Sequence, residues 1–472
     1  MRFSHDLPAM RGKIAISNPL PNHAAMRIDT LTLKNFRRFD KLEINFRPQF
    51  NLLVGKNGSG KTTILDGLSV AMGAWLLGMS KYNKDCKARS IGREEARLKC
   101  IQYAKAGKKL VRYEYQHPVM VKAEGEVTGK RLVWERTLEG QSGRTTSTGA
   151  ARIKSLAQSA GATAMYGKTS VTLPLISYYG TGRIWQQPRD LKAKLESSNT
   201  KASKSRMKGY LDSHAPRSDA KSLFRWIQTQ QYIALQEGAA PELDAVKKAI
   251  LGCIEDGKRI YFSVNLADLI LEVEGQERQP FNNLSDGYQN MIAMVGDIAW
   301  KAVQLNPHLG TKAPAETPGI VLIDELDLHL HPSWQRRVIE DLRRTFPKIQ
   351  FICTTHSPFL IQGARAGEVI GLDKGNVVDV VSEDYVGASL EDIVEEVQRT
   401  PQPQTSLASK RLADATEKYA LALRANGKGD KLQLARAERE FREAEAAYGG
   451  EPGLRAMLKL EALAAEVEAS KK

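Results

Sequence analysis

Residues 55–63 read Gly55-Lys56-Asn57-Gly58-Ser59-Gly60-Lys61-Thr62-Thr63, with an apolar run before them (50–54) and a helical pattern after them (64–68). The order G-x-x-x-x-G-K-[ST] is what a phosphate cradle needs. Glycines at 55 and 60 let backbone N–H groups turn inward around phosphate oxygens, with a helix N-terminus behind them. Lys61 would neutralise the β and γ phosphates, and the Thr62 hydroxyl would hold Mg2+. A chance glycine-rich turn has no need of the strand and helix that flank this one. The chain is therefore expected to bind a nucleoside triphosphate, ATP, with Mg2+.

Two further β-type runs end in residues that could act on that phosphate. Residues 319–325 are apolar up to the carboxylates Asp324 and Glu325, as in a strand buried on both faces of a parallel sheet. Asp324 would hold Mg2+ through water, and Glu325 would orient and deprotonate the attacking water. A buried strand ending in a charged turn is the plain alternative. It is weakened by residues 351–357, a second such run that ends in His356, where a contact to the γ-phosphate is needed.

The fourth element is Leu284-Ser285-Asp286-Gly287-Tyr288-Gln289, ahead of an apolar helical stretch over 291–303. On its own Ser-Asp-Gly is an ordinary helix cap. Between the phosphate loop and the Asp-Glu strand it resembles the signature motif of ABC-type ATPases. The chain as a whole resembles the ABC-ATPase class that includes the RecF, SMC and OLD proteins. Within that class it is similar to the Septu ATPase family, PtuA, of prokaryotic defence operons, which also occurs in some retron systems. The closer likeness rests on residues 27–39, on Leu175-Ile176-Ser177-Tyr178-Tyr179-Gly180-Thr181-Gly182-Arg183, and on Asp327-Leu328-His329-Leu330-His331-Pro332.

The resemblance implies a homodimer, or a higher oligomer built on head-to-tail dimers. In it Ser285 and Gly287 meet the γ-phosphate held by a second subunit, and residues 327–331 form the loop that crosses the dimer interface. It also implies an HNH-type nuclease effector as partner. One departure matters. The class expects a glutamine-containing loop after a mid-chain strand, and the equivalent here reads Tyr179-Gly180-Thr181-Gly182-Arg183. Asp327, His329 and His331 offer a D-x-H-x-H pattern that could share one side of an extended segment, but no fourth ligand has an evident spacing.

The elements that must position these residues follow from pattern. The predicted fold class is α/β: an ABC-ATPase-type P-loop domain with a mostly parallel core sheet, an antiparallel β lobe, a helical lobe and a C-terminal helical extension. Residues 27–54 read as a hairpin leading into the phosphate loop, 112–115 and 131–136 as strands of the antiparallel lobe, and 220–256 as helical. No long heptad run separates Lys61 from Ser285, which argues against extended coiled-coil arms. The predicted organisation is a disordered leader over 1–25, an ATPase domain over 26–395 with helical or basic insertions at about 72–112 and 186–256, and a partner-binding helical region over 404–472. In that last region Leu412, Ala415, Tyr419 and Ala422, then Leu434, Ala437, Phe441, Ala444 and Tyr448, recur at helical steps on either side of a Gly-rich break, giving a helical hairpin.

Composition narrows the setting. The chain has 472 residues and a net charge of +15, and the excess is uneven. Residues 81–112 hold eleven Lys or Arg against three acids, and residues 189–221 hold nine against four. Such clusters attract phosphate backbones, so nucleic acid is a candidate partner beside the plain reading of a solvated basic face. No apolar stretch is read as a membrane span, and four scattered cysteines are read as buried thiols in a reducing, cytoplasmic compartment. The leading reading is the ATP-hydrolysing subunit of an anti-phage defence system that controls a nuclease. The alternative is a RecF-like DNA-repair ATPase, and a transport ATPase comes third.

Overall fold

Strands Phe50–Gly55, Leu175–Tyr179, Gly319–Ile323 and Ile349–Thr355 are buried along almost their whole length. Strands this apolar on both faces need cover on both sides, which a parallel sheet between other layers provides. In the computed structural model they form a six-stranded sheet, in the order Asn376–Val378, Val369–Asp373, Phe50–Gly55, Ile349–Thr355, Gly319–Ile323, Leu175–Tyr179. Only the edge strand Asn376–Val378 runs antiparallel. The structure describes residues 26–398 apart from 85, 106–107, 167–169, 184–205, 215–219 and 379–384, together with 407–425, 431–447, 460 and 467.

The register places the functional ends side by side. Val54 pairs with Thr355, Cys353 with Ile323, and Ile323 with Tyr179. The residues that follow these ends, Gly55, His356, Asp324 and Gly180, therefore share one edge of the sheet. This is the carboxyl end, where open α/β sheets bind ligands.

A second, antiparallel sheet runs Phe39–Asn45, Met26–Phe36, Val119–Val127, Lys130–Leu138, and its hairpin leads into the phosphate-loop strand as expected. Helix Lys61–Met79 starts at the phosphate loop, and all of it except Thr62 and Leu77 is buried. By length and composition it is apolar enough to cross a membrane, which corrects the sequence expectation that no such stretch exists. Its burial within the protein marks it as a core helix.

Of the segment 72–112, expected as a helical or basic insertion, residues 72–79 are α-helical and the later part is β-structure. The helix ends at Met79, and strands Leu98–Lys105 and Lys108–Tyr115 form a separate two-stranded hairpin. Residues 112–115, expected in the antiparallel sheet, belong to this hairpin instead. Helices Ala220–Glu237 and Pro241–Gly252 fill the expected helical middle, while most of 186–219 lies outside the described residues. Residues 1–25, which hold the expected leader, and the linker at 400–404 lie outside them as well.

The chain divides into two units, to Ala388 and from Ser389, a few residues before the expected boundary at 395. In the second unit, helices Leu407–Ala425 and Lys431–Ala447 pack on one another through Leu412, Tyr419, Leu423 and Phe441. The Tyr419 and Phe441 rings stack with centroids 5.5 Å apart.

Candidate active site

The phosphate loop takes the conformation its glycines allow. Gly58 and Gly60 have φ of 76° and 108°, and a Cβ on Gly60 would lie 2.4 Å from the Phe39 ring. The loop closes on itself: Lys61 Nζ donates to the carbonyls of Gly55 at 2.7 Å and Lys56 at 3.3 Å. Burial lowers the Lys61 pKa, and the carboxylates of Asp324, Glu325 and Asp327 oppose that shift. Ser59 Oγ is buried with no hydrogen-bond partner among the described residues. An orphaned hydroxyl and an ammonium folded onto carbonyls are donors awaiting an anion, so the loop fits a triphosphate.

Thr62 opens the helix, and its hydroxyl donates to Asp324 Oδ2 at 3.0 Å. A hydroxyl and a carboxylate at this separation form a hard oxygen pair of the kind Mg2+ takes. Asp324 is held from its other side by Thr354 Oγ1 at 2.6 Å, and the Glu325 amide donates to that same Thr354 oxygen at 2.7 Å. Glu325 is the second residue past the buried strand and sits at φ 51°, a left-handed conformation uncommon for a residue with a Cβ. His356 is pulled below its usual pKa of 6.5 by burial first and Lys61 second, against the carboxylates of Asp327, Glu325 and Asp324. The sheet register sets Asp324 and His356 beside the phosphate loop, close enough for these charges to act on one another.

Ser285 and Gly287 stand on a different element, at the start of helix Asp286–Leu305. Ser285 caps helix Asp286–Leu305 with its backbone extended, and its side chain makes no capping hydrogen bond. A Cβ on Gly287 would meet the His329 carbonyl oxygen at 2.7 Å, and Asn290 Nδ2 donates to the Leu328 carbonyl at 2.9 Å. Among the described residues these contacts tie the motif to the 328–329 loop and not to residues 55–63.

The D-x-H-x-H stretch is not extended but a run of turns, with Leu328 N donating to Glu325 O and Leu330 N to Asp327 O. Asp327 accepts from Thr355 Oγ1 at 2.6 Å, while His331 caps helix Pro332–Thr345 through Ser333. Among the described residues no group of three or more His, Cys, Asp or Glu is placed to hold a metal. Of the cysteines, Cys86, Cys253 and Cys353 are buried but Cys100 is exposed, against expectation.

The sequence did not single out a charged cluster beside the site. Arg37 pairs with Asp66 at 2.6 Å and with Glu95 at 2.9 Å, and Arg89 pairs with both carboxylates. Tyr178 donates to Asp66 at 3.3 Å. Arg37, Asp66, Arg89 and Tyr178 border a cleft of about 530 Å³ that Thr62, Asp324 and the loop Gly180-Thr181-Gly182 also line. The loop in the glutamine-loop position therefore faces the cleft with backbone and a threonine. One signal was available: Asp66 is the single acid in the otherwise apolar helix 61–79, and a buried lone carboxylate needs partners.

Comparisons with known proteins bear on the class of the chain. Residues 30–258 match a family described as AAA domain, and residues 202–362 match one described as AAA domain, putative AbiEii toxin, Type IV TA system. The chain is an ABC-type ATPase of the RecF/SMC class. Among individual relatives, it is 28% identical to the Retron Ec83 probable ATPase of Escherichia coli over 399 residues, 71% of this chain and 69% of the relative. It is 34% identical to Septu protein PtuA of Bacillus thuringiensis over 137 residues, 28% of this chain and 34% of the relative. A third relative, the DNA replication and repair protein RecF of Halalkalibacterium halodurans, is 30% identical over 79 residues, 17% of this chain and 20% of the relative.

Proposed function

We propose that this chain is the ATP-hydrolysing subunit of an anti-phage defence system, that it dimerises head to tail around ATP and Mg2+, and that it controls a nuclease effector. The single observation that carries the dimer is that Ser285 and Gly287 open helix Asp286–Leu305 and pack on the 328–329 loop, with no contact to residues 55–63 given among the described residues. Lys61, Thr62, Asp324, Glu325 and His356 converge, while Ser285 and Gly287 are anchored on the 328–329 loop. A second copy would complete each site.

In that reading residues 55–63 cradle the triphosphate and Lys61 moves from its loop carbonyls to the phosphates. Thr62 and Asp324 would hold Mg2+, which would supply positive charge to offset that of the phosphates. Glu325 takes the proton of the attacking water, and His356 contacts the γ-phosphate. Thr354 fixes Asp324 and the Glu325 amide together, so metal ligand and base keep one geometry. Defence is favoured over DNA repair because the retron ATPase aligns along 71% of this chain and RecF along 17%. A cytoplasmic setting and an HNH-type effector follow from the same reading.

Mixed dimers test the composite site. A Ser285→Arg subunit combined with a Lys61→Ala subunit leaves one site intact and one doubly damaged. Each variant alone should be inactive. A random mixture should recover on the order of a quarter of the wild-type sites, because half of its dimers are heterodimers. No recovery, with heterodimers confirmed by mass, would rule out the head-to-tail arrangement.

A further inference from the structure

Hairpin Leu98–Lys105 with Lys108–Tyr115 pairs with no other strand among the described residues. It is rooted in the antiparallel sheet, where Arg97 N donates to Asn35 O at 2.9 Å and Gln116 N to Arg97 O at 2.8 Å. Beyond that root both faces are open. Directly paired residues share a face, so Leu98, Tyr115, Tyr113 and Val111 stand on one side, and Tyr103 and Leu110 on the other. All six are exposed, Tyr113 by 65%. A two-stranded hairpin is marginal by itself in water, and this much uncovered apolar surface calls for a cover.

Charge indicates what the cover is. Residues 98–115 carry Lys99, Lys105, Lys108, Lys109 and Arg112 against one acid, Glu114, which Arg112 engages at 3.0 Å. The partner is therefore a polyanion. Cations alone would suffice for a duplex backbone and would leave the tyrosines unexplained. Tyr113 and Tyr115, two residues apart on one face, stand ~7 Å from each other along the strand. That is about twice the ~3.4 Å rise of a nucleic-acid strand. We infer that this hairpin is a binding arm for single-stranded nucleic acid, with bases stacked on Tyr113 and Tyr115, a phosphate on Lys109, which shares their face, and Lys99 and Arg112 on the opposite face adding to the attraction for the strand. Such stacking is indifferent to base identity, so the arm reads strandedness and not sequence. The inference extends the proposed function with a partner class and stands even if the effector assignment fails.

The test uses the full-length protein and a fluorescent oligonucleotide of about 20 nucleotides, single-stranded or duplex. Wild type should prefer the single strand. Tyr113→Ser with Tyr115→Ser should weaken binding about tenfold to a hundredfold, and Tyr113→Phe should retain it. Lys109→Glu with Arg112→Glu should reduce the dependence of log affinity on log salt by about 1 to 2. Basal ATP hydrolysis should be unchanged in each, which shows that the variants fold. Cys100, which pairs with Tyr113 and is the exposed cysteine of the four, takes a photocrosslinker that should capture the single strand. Binding unaffected by the tyrosine changes, binding without a crosslink from Cys100, or no binding by wild type would each overturn the arm. So would variants that lose a polypeptide partner while keeping the oligonucleotide.

Discussion

Thr354 Oγ1 donates to the Asp324 carboxylate at 2.6 Å while accepting from the Glu325 amide at 2.7 Å, so one hydroxyl ties together the two carboxylate residues that end strand Gly319–Ile323. Thr354→Val keeps the shape and removes both bonds. Losing both bonds should cost about 1–3 kcal/mol of stability. It should also lower kcat more than it raises KM, because Glu325 loses its anchor. Thr354→Ser should restore both. Thermal unfolding with steady-state ATPase kinetics checks this, and wild-type kcat in the valine variant would show that the anchor is dispensable.

His356 gives a pH signature. Its pKa lies below 6.5 in the nucleotide-free protein, so between that value and 6.5 the unfolded chain binds the proton and the folded chain does not. This residue's contribution to stability therefore rises with pH through the window and is lost as pH falls. A bound triphosphate adds negative charge and should raise the pKa. The His356 ring resonances, assigned with His356→Gln and titrated with and without a non-hydrolysable ATP analogue, should move to higher pKa when nucleotide is bound. A pKa unchanged by nucleotide would remove His356 from the phosphate.

The core of the site was legible because its signals are local. Gly55 to Thr63, Asp324-Glu325 and His356 each end a fully buried strand, and apolar runs of that kind stand out in sequence. The hairpin at 98–115 was legible only in part: residues 112–115 read as a strand, but its partner Leu98–Lys105 and its separation from the antiparallel sheet did not show. Both of its faces are exposed, so apolar and basic residues alternate without an inside to reveal the period, and lysine density masked the strands. The cluster of Arg37, Asp66, Arg89 and Glu95 was missed because its members are spread over some sixty positions of chain and meet only in the folded state. The 327–331 segment misled for a different reason. Its alternating Asp and His suggest an extended strand, but the positive φ of Glu325 and His329 turns it into consecutive turns.

The C-terminal helices carry a prediction about partners. The stripe of Leu412, Tyr419, Ala437 and Phe441 is consumed within the helical hairpin itself, so this region has a small core of its own. Deleting residues 404–472 should leave ATP hydrolysis within about twofold of wild type and abolish co-purification with the proposed nuclease effector. Full recovery of the effector by the truncated chain would place that interface elsewhere, and aggregation would mean that these helices cover an apolar face of the ATPase unit.

The account rests on Glu325 as the base and Lys61 as the phosphate ligand, and a paired measurement of ATP binding and hydrolysis tests it most directly. Glu325→Gln should bind ATP about as tightly as wild type, accumulate as ATP-bound dimer and lose roughly 10²- to 10⁴-fold in kcat. Lys61→Ala should lose binding itself. A Glu325→Gln protein that hydrolyses ATP at the wild-type rate would contradict the assignment of the site.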